Sequence, residues 1–336
     1  MSANIDYSLG VPAFAMIEGS TRPWWSDEQQ IIPQFPINSQ WATVLEQSKI
    51  HKTTQLVPAC VNGVEVPGYF GVVRQDNQNP LSIVQGRYRP LDNENLSFLD
   101  DLLGFGLQYE TAMGLDSGRI TVVTMKLPDD LRIIGDDIVK QYLFATNTFD
   151  GSMRFRIDKA NTRVVCQNTH RMALREGSSI IQAKHTDSLE LKLKKLPELF
   201  EEVKRQSTQY LQDCQLLACK TVSDEQIEAF LYDVLGYGKE FALVKSGQAN
   251  LKESISTRAR NQVEKISELA FTGMGTDIPG VKGSLWGLYN AVSEYTDHEM
   301  TPKGKSLDKM LVSTYFGSGA SLKDKAFNKA LELAKN

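Results

Sequence analysis

The sequence predicts an α+β fold, with an antiparallel β-rich N-terminal half that contains short helices and a C-terminal half that is α-helical. From about residue 53 to residue 187, runs with a period of two predominate, which is typical of strands with one buried face. Beyond residue 188 the apolar residues recur at the spacing of an amphipathic helix. We therefore divide the chain into an irregular N-terminal arm at 1–40, a β-rich core domain with a basic hairpin at 41–187, and an α-helical region at 188–336.

Prolines interrupt any periodicity in the arm, and we expect it to pack on its own domain or on a neighbouring subunit. In the core domain, turn signals at Asn62-Gly63 and 77–80 separate strand-like runs. Leucines at helical spacing predict a helix over Asn93–Phe105. The predicted strands read TQLVPAC, VEVPGYFGVVRQD, LSIVQGRY, GLQYETAM, GRITVVTMKL, LRIIG, VKQYLFATNTF, MRFRI, TRVVC and SIIQAKHT. The predicted helices are a stripe from Leu196 to Leu217 and segments at 223–236, 253–271, 283–298 and 320–335.

Composition excludes several classes of protein. The chain has 336 residues, of which 41% are hydrophobic and 23% charged, which is close to the globular average. No apolar run approaches the roughly 18–20 residues that a membrane span requires, so we expect no membrane contact. The N-terminal stretch has no basic region of the signal-peptide type, so we expect a cytoplasmic protein. The four cysteines show no CxxC spacing, and in that setting we expect reduced thiols. No P-loop, GxGxxG or GxSxG motif is present, and we expect no cofactor.

The segment from Tyr142 to Arg175 is the most informative part of the chain. An Asp-Gly turn at Asp150-Gly151 joins two strand-like runs, which predicts a β-hairpin. From Gly151 to Arg175, six basic residues stand against Asp158 alone, a net of +5 in a protein whose formal charge is −4. Such a patch suggests a face that binds an anion. The alternative is a solvated strand face whose charge is balanced by acids elsewhere in the fold.

The run MRFRI places Met153, Phe155 and Ile157 on one face of a strand and the two arginines between them on the other. Arginine suits phosphate because its planar fork donates two parallel hydrogen bonds. Aromatic residues of the partner strand offer surfaces on which bases could stack. The predicted nucleic-acid contacts are Arg154, Arg156, Lys159, Arg163, Arg171, Arg175, Asn147 and Phe149, with Tyr142 and Phe144 as further stacking candidates.

Two other groups of residues suggest chemistry less strongly. Cys166 and His170 lie four positions apart and could form a thiol nucleophile site, but no orienting acid occurs at a recognisable spacing. A buried Cys beside a turn is the preferred interpretation. Glu294, Asp297 and His298 have the spacing of metal ligands on a helix, but a polar helix face is the simpler explanation, so we expect no metal.

Several motifs give the chain a resemblance to a known family. They are the Arg-Tyr-x-Pro turn at Arg87–Pro90, the Tyr-Glu-Thr-Ala run at Tyr109–Ala112, the stretch Thr146–Ser152 and the block Arg163–Thr169. In this order they resemble the phage/plasmid-like protein family, a domain-of-unknown-function family, over roughly residues 55–330. The N-terminal arm departs from that pattern, since the resemblance implies a Pro-Trp-His-Gly-like motif and Pro23–Ser26 reads Pro-Trp-Trp-Ser. The order of strands, hairpin and helix also resembles, at the level of the fold plan, phage single-strand annealing recombinases of the Redβ and Erf type.

The resemblance and the basic hairpin together favour a non-enzymatic, nucleic-acid-binding protein of a mobile element. It would bind single-stranded DNA and promote annealing in recombination or replication, as a homo-oligomer in the form of a ring or filament. One alternative is a counter-defence or scaffold protein that binds a host protein. The other is an enzyme that uses Cys166 with His170 or His185.

Overall fold

The protein has the α+β architecture that its sequence predicts, with strands concentrated before residue 187 and helices after residue 200. A computed structural model describes residues 5–20, 31–163, 169–171, 180–186, 198, 200–300 and 317–335. The predicted boundary between residues 187 and 188 lies outside the described residues.

The strands form two sheets. The described strands are β1 (Phe14–Ile17), β2 (Gln34–Phe35), β3 (Thr54–Val61), β4 (Val64–Arg74), β5 (Pro80–Gln85), β6 (Gln108–Leu115), β7 (Ile120–Lys126), β8 (Leu131–Ile134), β9 (Asp137–Thr148), β10 (Phe155–Arg163), β11 (Thr169–Arg171) and β12 (Ile181–Ala183). The larger sheet has the order β11-β10-β9-β7-β6-β1-β2, with β12 paired to β10 and β8 paired to β9. Its described pairings are antiparallel except for β1 with β2. The smaller sheet is the antiparallel meander β3-β4-β5.

The helices follow the apolar spacing of the sequence. Those described are α1 (Trp41–Ser48), a 3-10 segment (Asn93–Phe105), a short 3-10 turn (Asp116–Gly118), α2 (Phe200–Cys219), α3 (Asp224–Val234), α4 (Gly238–Lys245), α5 (Leu251–Ser254), α6 (Thr257–Thr272), α7 (Leu285–Glu294), a π turn (Tyr295–Glu299) and α8 (Ser318–Lys335). Asn93–Phe105 is wound as a 3-10 helix. Its buried leucines Leu96, Leu99 and Leu102 recur every third residue, which is the period of that helix.

Part of the N-terminal segment forms strands and contributes to the core. Phe14, Ala15 and Met16 pair with β6, and their side chains are buried in the main hydrophobic cluster. A buried ion pair links this region to the smaller sheet, because the Arg74 guanidinium at the end of β4 binds the carboxylate of Asp6.

The core is divided among three clusters of buried side chains. One lies on the larger sheet, with α1 and the 3-10 segment. A second surrounds α7 in the helical half and includes Leu131, Ile133 and Val139 of β8 and β9. The third joins the smaller sheet to Phe149, at the tip of the β9–β10 hairpin. Trp286 of α7 donates from Nε1 to Asp137 Oδ2 at 2.7 Å, so the helical half is anchored directly on the larger sheet.

Candidate nucleic-acid interface

The basic hairpin forms as the sequence predicts. Strands β9 and β10 pair antiparallel from Val139–Arg163 to Thr146–Arg156, and Gly151 at the turn has φ +69°, which an L side chain rarely adopts. Asp150 Oδ1 accepts from the backbone N–H of Ser152 at 2.9 Å and from its hydroxyl at 2.6 Å. These bonds fix the shape of the hairpin tip.

The two arginines of the hairpin differ in their availability. Arg154 is exposed, as the alternation of the strand requires. Arg156 forms an ion pair with the buried carboxylate of Asp158, to which its Nη2 donates at 2.9 Å. The side chain of Arg156 is only 18% exposed and its guanidinium already binds an acid, so Arg154 is the better ligand for a phosphate.

Lys159 lies inside the protein, which corrects its prediction as a surface contact. It shares a face of β10 with the buried Phe155 and Ile157, and its side chain reaches Ser207 of α2. Its ammonium donates to Ser207 Oγ of α2, and the Ser207 hydroxyl in turn donates to the Val203 carbonyl at 2.9 Å. Burial lowers the pKa of Lys159 to about 7.

Asn147 and Phe149 are also buried, in contrast to their predicted role as DNA contacts. The Asn147 amide donates to the Leu91 carbonyl at 2.7 Å. Phe149 is fully buried and makes an edge contact with His51 at 4.7 Å between ring centroids. Phe144 is buried as well, because these aromatic rings fill the hydrophobic core on either side of the sheet.

The remaining predicted residues fall at or beyond the limits of the described chain. Arg163 ends β10, and His170 and Arg171 belong to β11, which pairs with β10. Their backbone places them at that edge of the larger sheet. Cys166 and Arg175 lie outside the described residues, so the thiol hypothesis stays a prediction.

An open cleft of about 500 Å³ lies beside the exposed arginine of the hairpin. Its walls come from three separate segments, residues 83–88, 150–154 and 184–186. Arg87, Arg154 and Lys184 all line it and are exposed, whereas Asp150 is the acid among its lining residues. None of these three cations forms an ion pair with a carboxylate of the described residues. The cleft therefore collects positive charge from parts of the chain up to about a hundred residues apart.

Two aromatic side chains with polar atoms line the interior of this cleft. The Tyr88 hydroxyl donates to the Thr148 carbonyl at 2.9 Å. The His185 ring lies 5.2 Å from the Tyr88 ring and is 5% exposed. The backbone N–H of Arg89 donates to the His185 carbonyl at 2.9 Å, which holds the segment in place. Burial lowers the pKa of His185 to about 4, so its imidazole is neutral at pH 7.

Sequence reasoning missed Arg87, Lys184 and His185 as members of one site. The charge count covered one contiguous segment, whereas the cleft is assembled from segments that meet only in the folded chain. A signal was present for Arg87, since it begins the Arg-Tyr-x-Pro turn, and Tyr88 of that turn bonds the hairpin strand β9.

The acidic group on the helical half has structural partners. Asp297 Oδ1 accepts from the buried ammonium of Lys323 at 2.6 Å, and Glu294 Oε2 accepts from the Met274 backbone N–H at 3.0 Å. Within the described ranges no group of His, Cys, Asp and Glu has the geometry of a metal site. In the same part of the chain, no helix combines the length and apolar character needed to cross a bilayer.

Comparison with known proteins identifies a family but does not assign a function. The model of the family described as "Domain of unknown function (DUF932)" matches residues 80–324, a range that includes the cleft and the helical half as far as the start of α8. No curated protein matches the chain. No solved structure matches it either.

Proposed function

We propose that this chain, which belongs to the DUF932 family, binds single-stranded DNA in the cleft beside its basic hairpin. The observation that supports this is the meeting of Arg87, Arg154 and Lys184 at one open cleft. Guanidinium and ammonium groups bind phosphate oxygens, and three of them in one place can follow a phosphate backbone.

The size and lining of the cleft favour a single strand over a duplex. A volume of about 500 Å³ is in the range of sites for small organic ligands, so it suits one nucleotide unit of a strand. Apolar contact surface is present beside the cations, since Ile83 is 70% exposed and lines the same cleft. Single-strand binders combine a basic groove with side chains against which bases pack, most often aromatic rings.

Salt dependence measures this contact directly. For a single strand, log K falls with log salt at a slope of about −0.7 per neutralised phosphate, so three contacts give a slope of about −2. We expect Arg87→Gln, Arg154→Gln and Lys184→Gln each to reduce that slope by about 0.7, measured by fluorescence anisotropy with a labelled (dT)20 strand. The matched control is Arg132→Gln, which removes an arginine of β8. The side chain of Arg132 is 66% exposed and pairs with Asp136.

The proposal fails if the wild-type protein does not bind the strand at low salt. It also fails if the three cleft variants bind as the wild type does, or if Arg132→Gln weakens binding as much as they do. Cys166→Ala is expected to leave binding unchanged, because a thiol has no role in a phosphate contact.

Assembly and annealing extend the proposal. Three contacts in one subunit give weak binding at physiological salt, and several subunits on one strand multiply it through effective concentration. We therefore propose that the protein forms a homo-oligomer on the strand and promotes annealing. We further propose that it acts in the cytoplasm and is encoded by a phage or plasmid. Light scattering with and without (dT)40, and the rate at which two labelled complementary strands pair, measure these steps. A monomer at saturating strand, or an unchanged pairing rate, would contradict them.

A further inference from the structure

His185 is a buried polar side chain with hydrogen-bonding capacity left for a ligand. The residue is 5% exposed, and neither Nδ1 nor Nε2 makes a hydrogen bond of ordinary length to a described residue. Burial lowers the pKa of the ring, and the Arg89 backbone lies near enough to raise it in part, which leaves at least one ring nitrogen for a ligand. Buried polar groups in folded proteins are nearly always satisfied, so an unsatisfied one indicates a missing partner. Because His185 lines the cleft, a ligand bound there can reach its ring and supply the missing hydrogen-bond partner.

The chemistry of His185 distinguishes between possible ligands. A neutral imidazole has one N–H donor and one nitrogen acceptor. A phosphate oxygen is an acceptor and can use only the donor. A nucleobase carries donors and acceptors on its edges, and proteins that bind unpaired strands recognise those edges by hydrogen bonds.

The surroundings of His185 have the other features of a base site. The Tyr88 ring packs on one side of the imidazole, with an angle of 30° between the planes. Ile83 and Met153 add apolar surface, and the exposed Gln85 adds a second side chain with both a donor and an acceptor.

We infer that this cleft holds one unpaired nucleobase of the bound strand, hydrogen-bonded to His185, while Arg87, Arg154 and Lys184 at the rim bind the flanking phosphates. This rests on the proposed function and adds to it a preference among bases. The basic rim alone, by contrast, is indifferent to the base.

A strand without bases tests the proposed base site separately from the phosphate contacts. We expect the wild type to bind at least one of (dT)10, (dC)10 and (dA)10 about tenfold or more tightly than a decamer of abasic units with the same number of phosphates. His185→Phe keeps an aromatic ring beside Tyr88 and removes both nitrogens. It is expected to reduce the differences among the three base-bearing strands severalfold and to leave the salt slope unchanged. The matched control is His51→Phe, another buried imidazole, which does not line this cleft.

Each outcome has one meaning. Equal affinity for the abasic and base-bearing strands overturns the base site and leaves the proposed function standing. A folded His185→Phe variant with unchanged base preference overturns it as well. Absence of binding to every strand removes the proposed function and this inference together.

A second measurement covers the case in which His185→Phe fails to fold. In the wild-type protein, the ¹⁵N chemical shifts of the His185 ring are expected to change when the preferred decamer is added, and to change much less with the abasic decamer. Unchanged shifts at saturating strand overturn the inference.

Discussion

Replacing Lys159 by Met is expected to stabilise the protein, because the native fold buries this amine at a cost. Lys159 is 2% exposed and forms no ion pair with a carboxylate of the described residues, and burial lowers its pKa from 10.5 to about 7. At 1.36 kcal/mol per pH unit, that change corresponds to roughly 5 kcal/mol of native-state destabilisation at or below pH 7. Methionine has a similar length and no charge, and Ser207 keeps its bond to Val203. We therefore expect a gain of about 2–4 kcal/mol in the free energy of unfolding at pH 7.

The pH dependence identifies the cause. Between pH 7 and 10.5 the unfolded chain keeps a proton on Lys159 that the native protein has released, so stability rises with pH across that interval. From pH 7 to pH 9.5 this one group contributes about 3 kcal/mol to the wild type and nothing to Lys159→Met.

Urea unfolding at pH 7 and pH 9.5 measures both quantities. The matched control is Lys204→Met, which removes an exposed lysine of α2, the helix that carries Ser207, and should change stability by about 0.5 kcal/mol or less. If Lys159→Met is destabilising at pH 7, or if its stability gains as much between the two pH values as that of the wild type, then the amine is not a desolvated neutral group.

Two further predictions concern buried charge elsewhere. Arg74→Met leaves the buried Asp6 carboxylate without its cation and should lower the free energy of unfolding in urea by about 3–5 kcal/mol. Arg132→Met, at an exposed ion pair, should lower it by about 0.5 kcal/mol or less. Equal losses in the two variants would contradict this prediction. Burial lowers the pKa of His51 to about 4 from 6.5, so its contribution to stability is complete above pH 6.5 and is lost as pH falls towards 4, by roughly 3 kcal/mol. His51→Phe should flatten that part of the stability curve, and an unchanged curve would refute the role of this group.

Local signals in the sequence were sufficient for most of the fold. Asn62-Gly63 has positive φ at both residues, as the hairpin turn between β3 and β4 requires, and Asp150-Gly151 turns the basic hairpin. Apolar spacing located α2, α3, α6 and α8 to within a few residues. Strand β1 could not be found in this way, because Phe14–Ile17 owes its strand structure to pairing with β2 and with β6, and β6 lies about a hundred residues later in the chain.

The site was harder to predict because charge in a sequence carries no information about exposure. Lys159 follows Phe155 and Ile157 at a spacing of two and therefore belongs to their buried face, which the alternation already implied. The position of Phe149 in the hairpin predicts a stacking surface, whereas in the folded chain this side chain packs into the core cluster of the smaller sheet.

The distinction between Lys159 and Arg154 decides how the +5 segment should be understood. If its charge acted as a whole, removing either cation would weaken DNA binding by a similar factor. In the folded protein Lys159 bonds to Ser207 in the interior, whereas Arg154 lines the open cleft. Lys159→Met should therefore raise stability with the salt slope of DNA binding unchanged, and Arg154→Gln should lower that slope with stability unchanged. Because the two variants act on different quantities, a loss of binding in both would show that the segment contacts DNA through a rearranged hairpin, and would overturn the cleft as the binding site.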